Sequence, residues 1–443
     1  MWISAIKSYL KLNTSIFPLA IFRMAFGSLM AFSTLRFLSK GWVEAAYLNP
    51  QFHFTYRFFD WVEPFDPFWM YGTVVLCALS ALCIGLGYFY RWAAPLFFIS
   101  FTYLELIEKS WYLNHYYFVS LVAFLLIFLP ANRNYSLDTY FGRTSKLAKV
   151  NNWNIDVLKL QLGIVYVFGG IAKLKYDWLF LAQPMKFWLK SRTDLPLIGF
   201  LFEYDWMPYA FSWAGLVYDL SIVFLLWNKR TRLVAYLLVL VFHILTYVLF
   251  NIGMFPWLMI AGSLIFISKE EWKHLFLKIG ISLKESGNRD VLISPVFSKL
   301  VIVLFLVLQI VFPLRHYFLS KNVLWTENGF RFAWHVMVME KSGYITYTVI
   351  DNISNQQWKE YPSDRLDPIQ EKQMSHQPDM ILQYARYLEN IYKTQKHTDL
   401  SIYVQSKVSL NGRPSQVYID PKLDLLTLQS ANDIYQHILP LQK

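Results

Sequence analysis

The sequence predicts a polytopic α-helical membrane protein of about nine spans, followed by a C-terminal outer domain that is β-rich or α+β. Three observations predict this class. Of the 443 residues 56% are hydrophobic, only 16% are charged, and apolar stretches of membrane-spanning length recur along the chain. A soluble domain carries roughly a quarter of charged residues. The mean hydropathy of +0.32 therefore excludes disordered, collagen-like and ordinary cytosolic proteins.

Nine apolar stretches are candidate spans. They lie near residues 15–38, 67–88, 92–108, 113–130, 155–175, 209–227, 233–250, 253–268 and 300–318. Several are short or contain proline, so their bounds are approximate. Together they assign residues 1–319 to a transmembrane helical domain.

Basic residues cluster in alternate connections between these stretches and predict the orientation of the chain. Lys7 and Lys11 precede the first stretch. Further clusters follow the second, fourth, sixth and eighth stretches: Arg91; Arg133, Arg143, Lys146 and Lys149; Lys229, Arg230 and Arg232; and Lys269, Lys273, Lys278, Lys284, Arg289 and Lys299. The positive-inside rule therefore predicts a cytoplasmic N-terminus in a chain surrounded by membrane lipid. Because the net charge of +11 is divided among these clusters, nucleic acid is not an expected partner.

An odd number of spans places residues 320–443 on the outer side of the membrane, in the periplasm or a lumen. The composition changes there, because polar and apolar residues alternate and no span occurs. Residues 344–350 and 401–410 have the period of two that is typical of strands, and 378–392 has a helical pattern with proline at its start. This pattern predicts a small outer domain.

Five ionisable side chains lie inside or at the end of candidate spans, where they are costly and are therefore candidates for function. They are Arg23, His115, Lys173, Asp219 and His243. For Arg23 and Asp219 the favoured interpretation is structural, as ion-pair or helix-cap partners. Each histidine alone is more often a packing residue than a catalytic one. The predicted topology nevertheless places Lys173, His115 and His243 on the outer side, which makes one shared site possible.

Lys173 follows two glycines at the end of its span. Gly169 lies one turn before it and Tyr166 two turns before it on the same helical face, and Gly169 and Gly170 would allow a flat ligand or another helix to approach closely. Such a lysine can simply extend to the interface and complement the helix dipole. It can also lose its charge on burial and become a general base. Both interpretations stay open. No zinc-type spacing of Cys and His occurs, so no metal is expected.

Segments in order through nearly the whole chain carry a family resemblance. In the spans they are Phe22-Arg23-Met24-Ala25-Phe26-Gly27, Ser110-Trp111 with Asn114-His115, Ala131-Asn132 with Ser136-Leu137-Asp138, Ile171-Ala172-Lys173-Leu174 with Asp177-Trp178, Asp219-Leu220-Ser221, and His243 with Ile252-Gly253-Met254-Phe255. In the tail they are Trp334 with Met337-Val338, His376 with Asp379-Met380, Gln383-Tyr384-Ala385, Val408-Ser409-Leu410-Asn411 and Asp420-Pro421. The chain resembles the vitamin K-dependent gamma-glutamyl carboxylase family.

The resemblance implies an activity and its cofactor. An amine in the place of Lys173 deprotonates vitamin K hydroquinone, and addition of oxygen then generates a base strong enough to remove the γ-proton of a glutamate in a protein or peptide. No side-chain base tuned near neutral pH could remove that proton. Carbon dioxide traps the carbanion, and the products are gamma-carboxyglutamate and vitamin K epoxide.

The resemblance also implies roles for individual residues. The implied catalytic residues are Lys173 and His115. The implied cofactor-binding residues are Asn114, His243, Tyr166, Gly169 and Gly170. The implied contacts to the glutamate-containing substrate are Trp334 and Met337. Residues 1–319 would thus be the catalytic domain, with the active site towards the outer side of the membrane.

The chain also departs from the pattern of the animal enzymes. In the pattern of the animal enzymes, two consecutive lysines stand where this chain has Ala172-Lys173. A His and an Arg stand where this chain has Met339 and Lys341. The departures indicate a bacterial or otherwise divergent member of the family. Because Met339 and Lys341 lie where the resemblance implies that the peptide docks, they are expected to alter glutamate recognition and so to favour epoxide formation over carboxylation. Coupled epoxidation and carboxylation is the leading hypothesis, with a quinone epoxidase that does not carboxylate and a non-catalytic membrane scaffold as alternatives. Ionisable groups in apolar spans argue against the scaffold.

Overall fold

The structure, a computed structural model, describes residues 9, 12–250, 252–278, 291–292 and 296–442. The assignment of Lys7, Lys11, Lys284 and Arg289 to cytoplasmic segments falls outside the described residues. In the described chain a larger helical domain and a smaller C-terminal domain each have their own hydrophobic core.

Each of the nine apolar stretches forms a helix. In chain order these helices are α1 (Phe17–Ser39), α2 (Pro67–Leu86), α3 (Tyr90–Ile107), α4 (Asn114–Phe128), α5 (Trp153–Ala172), α6 (Met207–Trp227), α7 (Arg232–Leu249), α8 (Phe255–Ser263) and α9 (Val296–Leu314). Over the described residues, six are long and apolar enough to cross a membrane: α1, α2, α5, α6, α7, and α9 with the helical turn that follows it. The shorter apolar helices are α4 and α8 with its 3₁₀ extension. The chain is therefore an integral membrane protein, and the count of nine spans stays a prediction.

Helices α1 and α2 pack with their backbones in contact. A Cβ atom on Gly27 would lie 2.2 Å from the backbone nitrogen of Gly85, so only glycine fits at this position. Close to this contact, Arg23 is fully buried and donates hydrogen bonds to four carbonyl oxygens, from the last turn of α2 and from the connection after α4. Arg23 thus has the expected structural role: it donates to the last-turn carbonyl oxygens of Ile84 and Gly85 and so caps the C-terminus of α2, whereas it forms no ion pair among the described residues.

A small sheet gathers connections that the sequence assigns to the cytoplasmic side. Strand β1 (Asn13–Ser15) pairs antiparallel with β2 (Lys149–Asn151), which pairs parallel with β3 (Val291–Leu292). The segments before α1, after α4 and before α9 therefore lie side by side, as alternate crossings require. An ion pair of 2.9 Å between Arg232 and Glu271 joins the connection after α6 to the one after α8.

The C-terminal domain consists of an antiparallel sheet and two helices. Its strands are β4 (Lys341–Asp351), β5 (Gln357–Glu360), β6 (Leu400–Leu410) and β7 (Gln416–Val417), in the order β5-β4-β6-β7. Its helices are α10 (Pro368–Met374) and α11 (Pro378–Thr394). The strands predicted at 344–350 and 401–410 and the helix predicted at 378–392 lie within these elements. Alternate residues of β6 are buried, as the period of two requires.

Polar contacts join the other set of connections to the C-terminal domain. Between α3 and α4, Lys109 Nζ lies 2.7 Å from Asp379 Oδ2, which also accepts from Arg331 at 2.8 Å. Burial would raise the pKa of Asp379, but the two cations hold it well below its usual range. Between α5 and α6, Asp177 accepts from Arg413 at 2.7 Å. The two sets of connections therefore lie at opposite ends of the helical domain.

Short elements complete the connections. The α-helical ones are Leu137–Tyr140, Tyr176–Phe180, Met185–Lys190, Lys269–Lys278, His316–Leu319 and Val323–Thr326. The others are a π-helical turn, Glu44–Leu48, and the 3₁₀ turns Lys109–Trp111, Gly199–Glu203, Leu264–Phe266, Pro362–Asp364, Leu425–Thr427 and Asp433–His437. The short helices between α5 and α6 form a hydrophobic cluster with the ends of α6 and α7, and this cluster adjoins the candidate site.

Candidate functional site

A cavity of about 290 Å³ lies among α5, α6, α7 and α8, near the C-terminal domain. Its walls also include the short helices after α5 and residues 336–337 of the C-terminal domain. Most lining side chains are aliphatic or aromatic. The ionisable or hydrogen-bonding ones include Tyr166, Lys173, Asp219, His243 and Thr246. A mostly apolar cavity with a few placed polar groups is typical of a small-molecule site.

Lys173 and Asp219 form a buried ion pair at the wall of this cavity. Lys173 Nζ lies 2.7 Å from Asp219 Oδ2 and 3.2 Å from the carbonyl oxygen of Gly169, and the centroid of the Trp178 ring is 5.4 Å away. The Lys173 side chain is 7% exposed. An ammonium group has three donors, and among the described residues Lys173 has these two acceptors. One N–H therefore remains for a ligand.

His243 and Tyr166 form a second polar pair in the same cavity. His243 Nε2 lies 2.8 Å from the Tyr166 hydroxyl, and the hydroxyl of Tyr218 is 3.5 Å further along. The other ring nitrogen, His243 Nδ1, is buried, and it has no hydrogen-bond partner within the described part of the chain. Buried polar atoms are normally satisfied, so a ligand group at this nitrogen would complete the network.

The two glycines before Lys173 have different surroundings. Gly169 lines the cavity, and a Cβ atom there would lie 3.6 Å from Asp219 Oδ2. A Cβ atom on Gly170 would lie 2.6 Å from a methyl group of Leu220. Gly170 thus allows α5 and α6 to approach closely, which is the second of the two uses expected for these glycines. The lining of the cavity does not include it.

Asn114 and His115 line a second, larger cavity of about 860 Å³. Five lining residues are common to both cavities: Phe250, Ile252, Phe255, Val336 and Met337. The Phe255 ring centroid lies 5.9 Å from the His115 ring on one side and 5.9 Å from the His243 ring on the other. The structure therefore brings His115 to the site across a shared wall and not beside Lys173. Asn114 also ties the domains together by donating to the carbonyl oxygen of His335 at 3.2 Å.

A loop of the C-terminal domain reaches into the helical domain and carries both expected substrate contacts. Phe332, Trp334 and Met337 have positive φ angles of 62°, 59° and 51°. Positive φ angles are unfavourable for residues other than glycine, and they often mark functional segments. Met337 lines both cavities. Trp334 is fully buried and stacks on Tyr117, with ring centroids 5.1 Å apart. The structure thus places Trp334 in the core beside the site, while Met337 faces the cavities.

Lys341 is not at a substrate surface. Its ammonium is buried in the C-terminal domain and donates to Glu327 at 2.9 Å, to two backbone carbonyl oxygens and to the Tyr418 hydroxyl. His376 Nδ1 lies 2.9 Å from the same carboxylate oxygen of Glu327. Burial would raise the pKa of Glu327, but Lys341 and His376 lower it to about 2. The expectation that the departure at Lys341 alters peptide docking is therefore wrong. Met339 does line a cavity, of about 390 Å³.

Sequence reasoning missed part of the site. Asp219 was expected to be an ion-pair or helix-cap partner, and it does form an ion pair, but the sequence did not identify Lys173 as the partner. The aromatic residue between the two histidines, Phe255, belongs to a segment that carries the family resemblance, but its position gives no chemical signal. Over the described residues, no group of three His, Cys, Asp or Glu side chains could hold a metal ion.

The fold and the cavity define a helical membrane protein whose mixed C-terminal domain covers a buried lysine–carboxylate pair. A family model described as the HTTM domain matches residues 13–272, and one described as the vitamin K-dependent gamma-carboxylase, lumenal domain, matches residues 295–443. The chain belongs to the vitamin K-dependent gamma-carboxylase family, which confirms the resemblance seen in the sequence. No solved structure matches the chain.

Proposed function

We propose that this chain oxidises vitamin K hydroquinone to its epoxide and couples the oxidation to gamma-carboxylation of glutamate in a protein or peptide. Oxygen and carbon dioxide are the co-substrates. The observation that carries the proposal is the Lys173–Asp219 pair at the wall of a largely apolar cavity. Membership of the gamma-carboxylase family supports it.

The residues of the smaller cavity suit the hydroquinone head group. About 290 Å³ with aromatic and aliphatic walls accommodates a flat two-ring system. Two groups are available to its oxygens: the remaining N–H of Lys173 and the buried Nδ1 of His243. When bound, the hydroquinone supplies, through its oxidation by oxygen, the strong base that removes the γ-proton of glutamate. Lys173, His243 and Tyr166 would hold and orient it.

The ion pair offers a physical route to a neutral amine. Transfer of one proton from Lys173 Nζ to Asp219 Oδ2, along their 2.7 Å hydrogen bond, gives a neutral amine and a neutral carboxylic acid. The net charge of the pair does not change, so the step adds no charge to the apolar surroundings. The neutral Lys173 amine can then take a proton from a ligand hydroxyl. In this proposal Asp219 holds the proton that Lys173 gives up.

The larger cavity suits the glutamate substrate. It adjoins the smaller cavity along the wall that contains Phe255 and Met337, so a side chain that enters it reaches the neighbourhood of the cofactor. His115 and Asn114 line this cavity and would contact groups that extend across the wall. Positioning of this kind can contribute several kcal/mol to a coupled reaction.

The alternatives predict different products. A scaffold would gain nothing from a buried ion pair beside a cavity. An epoxidase without carboxylation was suggested by the departures at Met339 and Lys341, but Lys341 is a core residue of the C-terminal domain. Of these two departures, Met339 lines a cavity and Lys341 does not. Because only one of them can then affect the peptide, the coupled reaction is favoured.

The test measures both products at once. Protein purified in detergent is supplied with vitamin K hydroquinone, oxygen, labelled carbon dioxide and a peptide that contains glutamate. We expect epoxide and labelled peptide. A matched peptide with glutamine in place of glutamate is the control and should accept no label. Epoxide without labelled peptide would support the epoxidase. The absence of both products would support the scaffold.

The orientation is a further part of this proposal: a cytoplasmic N-terminus, and a C-terminal domain in the periplasm or a lumen. It is supported by the basic clusters and by the small sheet, which lies at the opposite end from the C-terminal domain. Single cysteines at the exposed positions Lys146 and Lys407, in a background that lacks Cys77 and Cys83, should label from opposite sides of the membrane. Labelling from one side would contradict the orientation and the odd number of spans.

A further inference from the structure

The larger cavity contains one permanent charge among its described lining residues, that of Arg36. Arg36 lies in the last turn of α1. Its guanidinium lies over the ring of Trp42, 4.9 Å from the centroid, and Trp42 lines the same cavity. Within the described ranges the guanidinium forms no ion pair and donates no hydrogen bond. The five N–H donors of Arg36 are therefore available to a ligand.

The chemistry of this cavity fits a carboxylate. A guanidinium presents paired N–H donors that match both oxygens of a carboxylate. The described lining contains no Asp or Glu to neutralise it. The cavity also contains the Asn114 amide and His115, and Trp111 contributes an indole N–H that is buried and has no hydrogen-bond partner among the residues that the structure describes. An anionic ligand would therefore find a cation and neutral donors together.

The position of this cavity relates the carboxylate to the cofactor site. Its shared wall with the smaller cavity contains Phe255 and Met337, and Lys173 lies on the far side of that wall. A glutamate side chain whose carboxylate is bound at Arg36 has its γ-carbon next to the carboxylate, where the proton must be removed. Removal of that proton places more negative charge on the carboxylate. A guanidinium bound to both oxygens would stabilise this charge.

We propose that Arg36 binds the side-chain carboxylate of the substrate glutamate, and that the cavity lined by Arg36, Asn114 and His115 is the binding site for a glutamate-containing peptide. This inference rests on the proposed function. The role of Arg36 is that of a substrate-binding residue, and it would decide the preference for glutamate over glutamine.

Two alternatives to this role of Arg36 are tested alongside. Arg36 could act only on stability, since a basic residue in the last turn complements the helix dipole and the guanidinium packs on Trp42. Alternatively, the carboxylate could bind Arg192, which lines a third cavity, of about 390 Å³, that also contains Met337. Arg36 is favoured because its cavity is larger, contains His115 and shares Phe255 with the cofactor site.

Peptide binding without turnover tests the proposal. Purified full-length protein in detergent, without hydroquinone, is titrated with a labelled short peptide that has one glutamate and with the same peptide carrying glutamine. We expect the wild type to bind the glutamate peptide about tenfold more tightly, and Arg36→Gln to remove this preference. Arg36→Lys keeps the charge but not the paired donors, so it should retain part of the preference.

Matched variants make the outcome decisive. Lys40→Gln removes a charge from the exposed C-cap of the same helix, and it should leave the preference unchanged. Equal binding of the two peptides by the wild type, or an unchanged preference in Arg36→Gln, would overturn the proposal, as would loss of the preference in Arg192→Gln alone. Epoxide formation is measured separately on each protein. Its absence in the wild type would count against the proposed function, and the binding result would stand independently.

Discussion

The helical domain and the C-terminal domain each bury a lysine against a carboxylate, and the two pairs differ in what surrounds them. In the C-terminal domain, Lys341 has four acceptors, and Glu327 also contacts His376. In the helical domain, Lys173 has two acceptors among the described residues and borders a cavity of about 290 Å³. Lys341 thus resembles a saturated core group, whereas Lys173 retains capacity for a ligand.

The comparison separates two uses of the same chemistry. A buried pair with all its hydrogen bonds made fixes the structure around it, and removing one partner leaves an uncompensated charge. A pair with an unused donor beside a cavity can bind a ligand and can move a proton. Burial alone does not distinguish the two lysines, since Lys341 is 5% exposed and Lys173 is 6% exposed. The partner count and the cavity distinguish them.

Loss of the open pair should affect activity far more than stability. We expect Lys173→Ala to lower the initial rate of epoxide formation by about 10²- to 10⁴-fold, the usual contribution of a general base. The fold should persist, because Asp219 can take up a proton and become neutral. A small exogenous amine should restore part of the rate. Thermal unfolding, followed by tryptophan fluorescence, checks the fold of the variant.

The neighbouring lysine is the matched control. Lys175 lies two residues later and does not line the cavity, so Lys175→Ala should epoxidise at nearly the wild-type rate. A rate for Lys173→Ala within about threefold of wild type would exclude its role as the base. The Lys173–Asp219 pair would then differ from the Lys341–Glu327 pair in its surroundings but not in a catalytic role.

Loss of the saturated pair should affect stability and only indirectly activity. We expect Lys341→Met to destabilise the C-terminal domain by about 3–5 kcal/mol, because Glu327 is left buried with one cationic neighbour fewer. Faster hydrogen exchange in β4 and β6 would report the change. Lys407→Met, on the exposed face of β6, should change nothing, and adding Glu327→Gln to Lys341→Met should recover part of the loss. Unchanged exchange in Lys341→Met would show that the saturated pair is dispensable.

Acid should weaken the saturated pair in a defined pH range. The pKa of Glu327 lies at about 2 in the folded chain, against an ordinary value of 4.5. A lowered pKa stabilises the fold above about pH 4.5, and this contribution is lost as the pH falls towards 2; we expect it to be on the order of 3 kcal/mol. Glu327→Gln should therefore flatten the acid dependence of exchange in β4 and β6. An equally steep dependence in that variant would place the responsible carboxylate elsewhere, with Asp379 the next to test.

The helices could be predicted from sequence because a bilayer sets their length. Twenty apolar residues signal a span whatever they pack against, and period-two alternation signalled the strands of the C-terminal domain. The small sheet of β1, β2 and β3 could not be predicted, because strands of two or three residues carry no periodicity. The structural role of Arg23 was expected, but its four carbonyl acceptors lie in the last turn of α2 and in the connection after α4, which no local pattern around Arg23 reveals.

The site could be predicted in part for a similar reason. Tyr166 and Gly169 of α5 and Lys173 at its C-cap lie on one face, and helical spacing alone places them together. Spacing on one helix gives no register to the next, so the partner of Lys173 on α6 and the separation of His115 into a second cavity were beyond it. Lys341 was misjudged because a departure from a family pattern does not show whether the side chain faces solvent or core.

The smallest predicted effect concerns Met339, which distinguishes substrate selection from core packing within one short segment. Met339 is partly buried and lines a cavity that contains Met337, whereas Lys341, two residues later, is enclosed by the core. We therefore expect Met339→His, the residue in the pattern of the animal enzymes, to raise the ratio of carboxylated peptide to epoxide only a few-fold with peptides built for those enzymes, since one altered contact is worth about 1 kcal/mol. Lys341→Arg should leave this ratio unchanged, because its side chain cannot reach the peptide. The ratio is measured with the peptide in excess, and a larger change in Lys341→Arg than in Met339→His would reverse the assignment of the two positions.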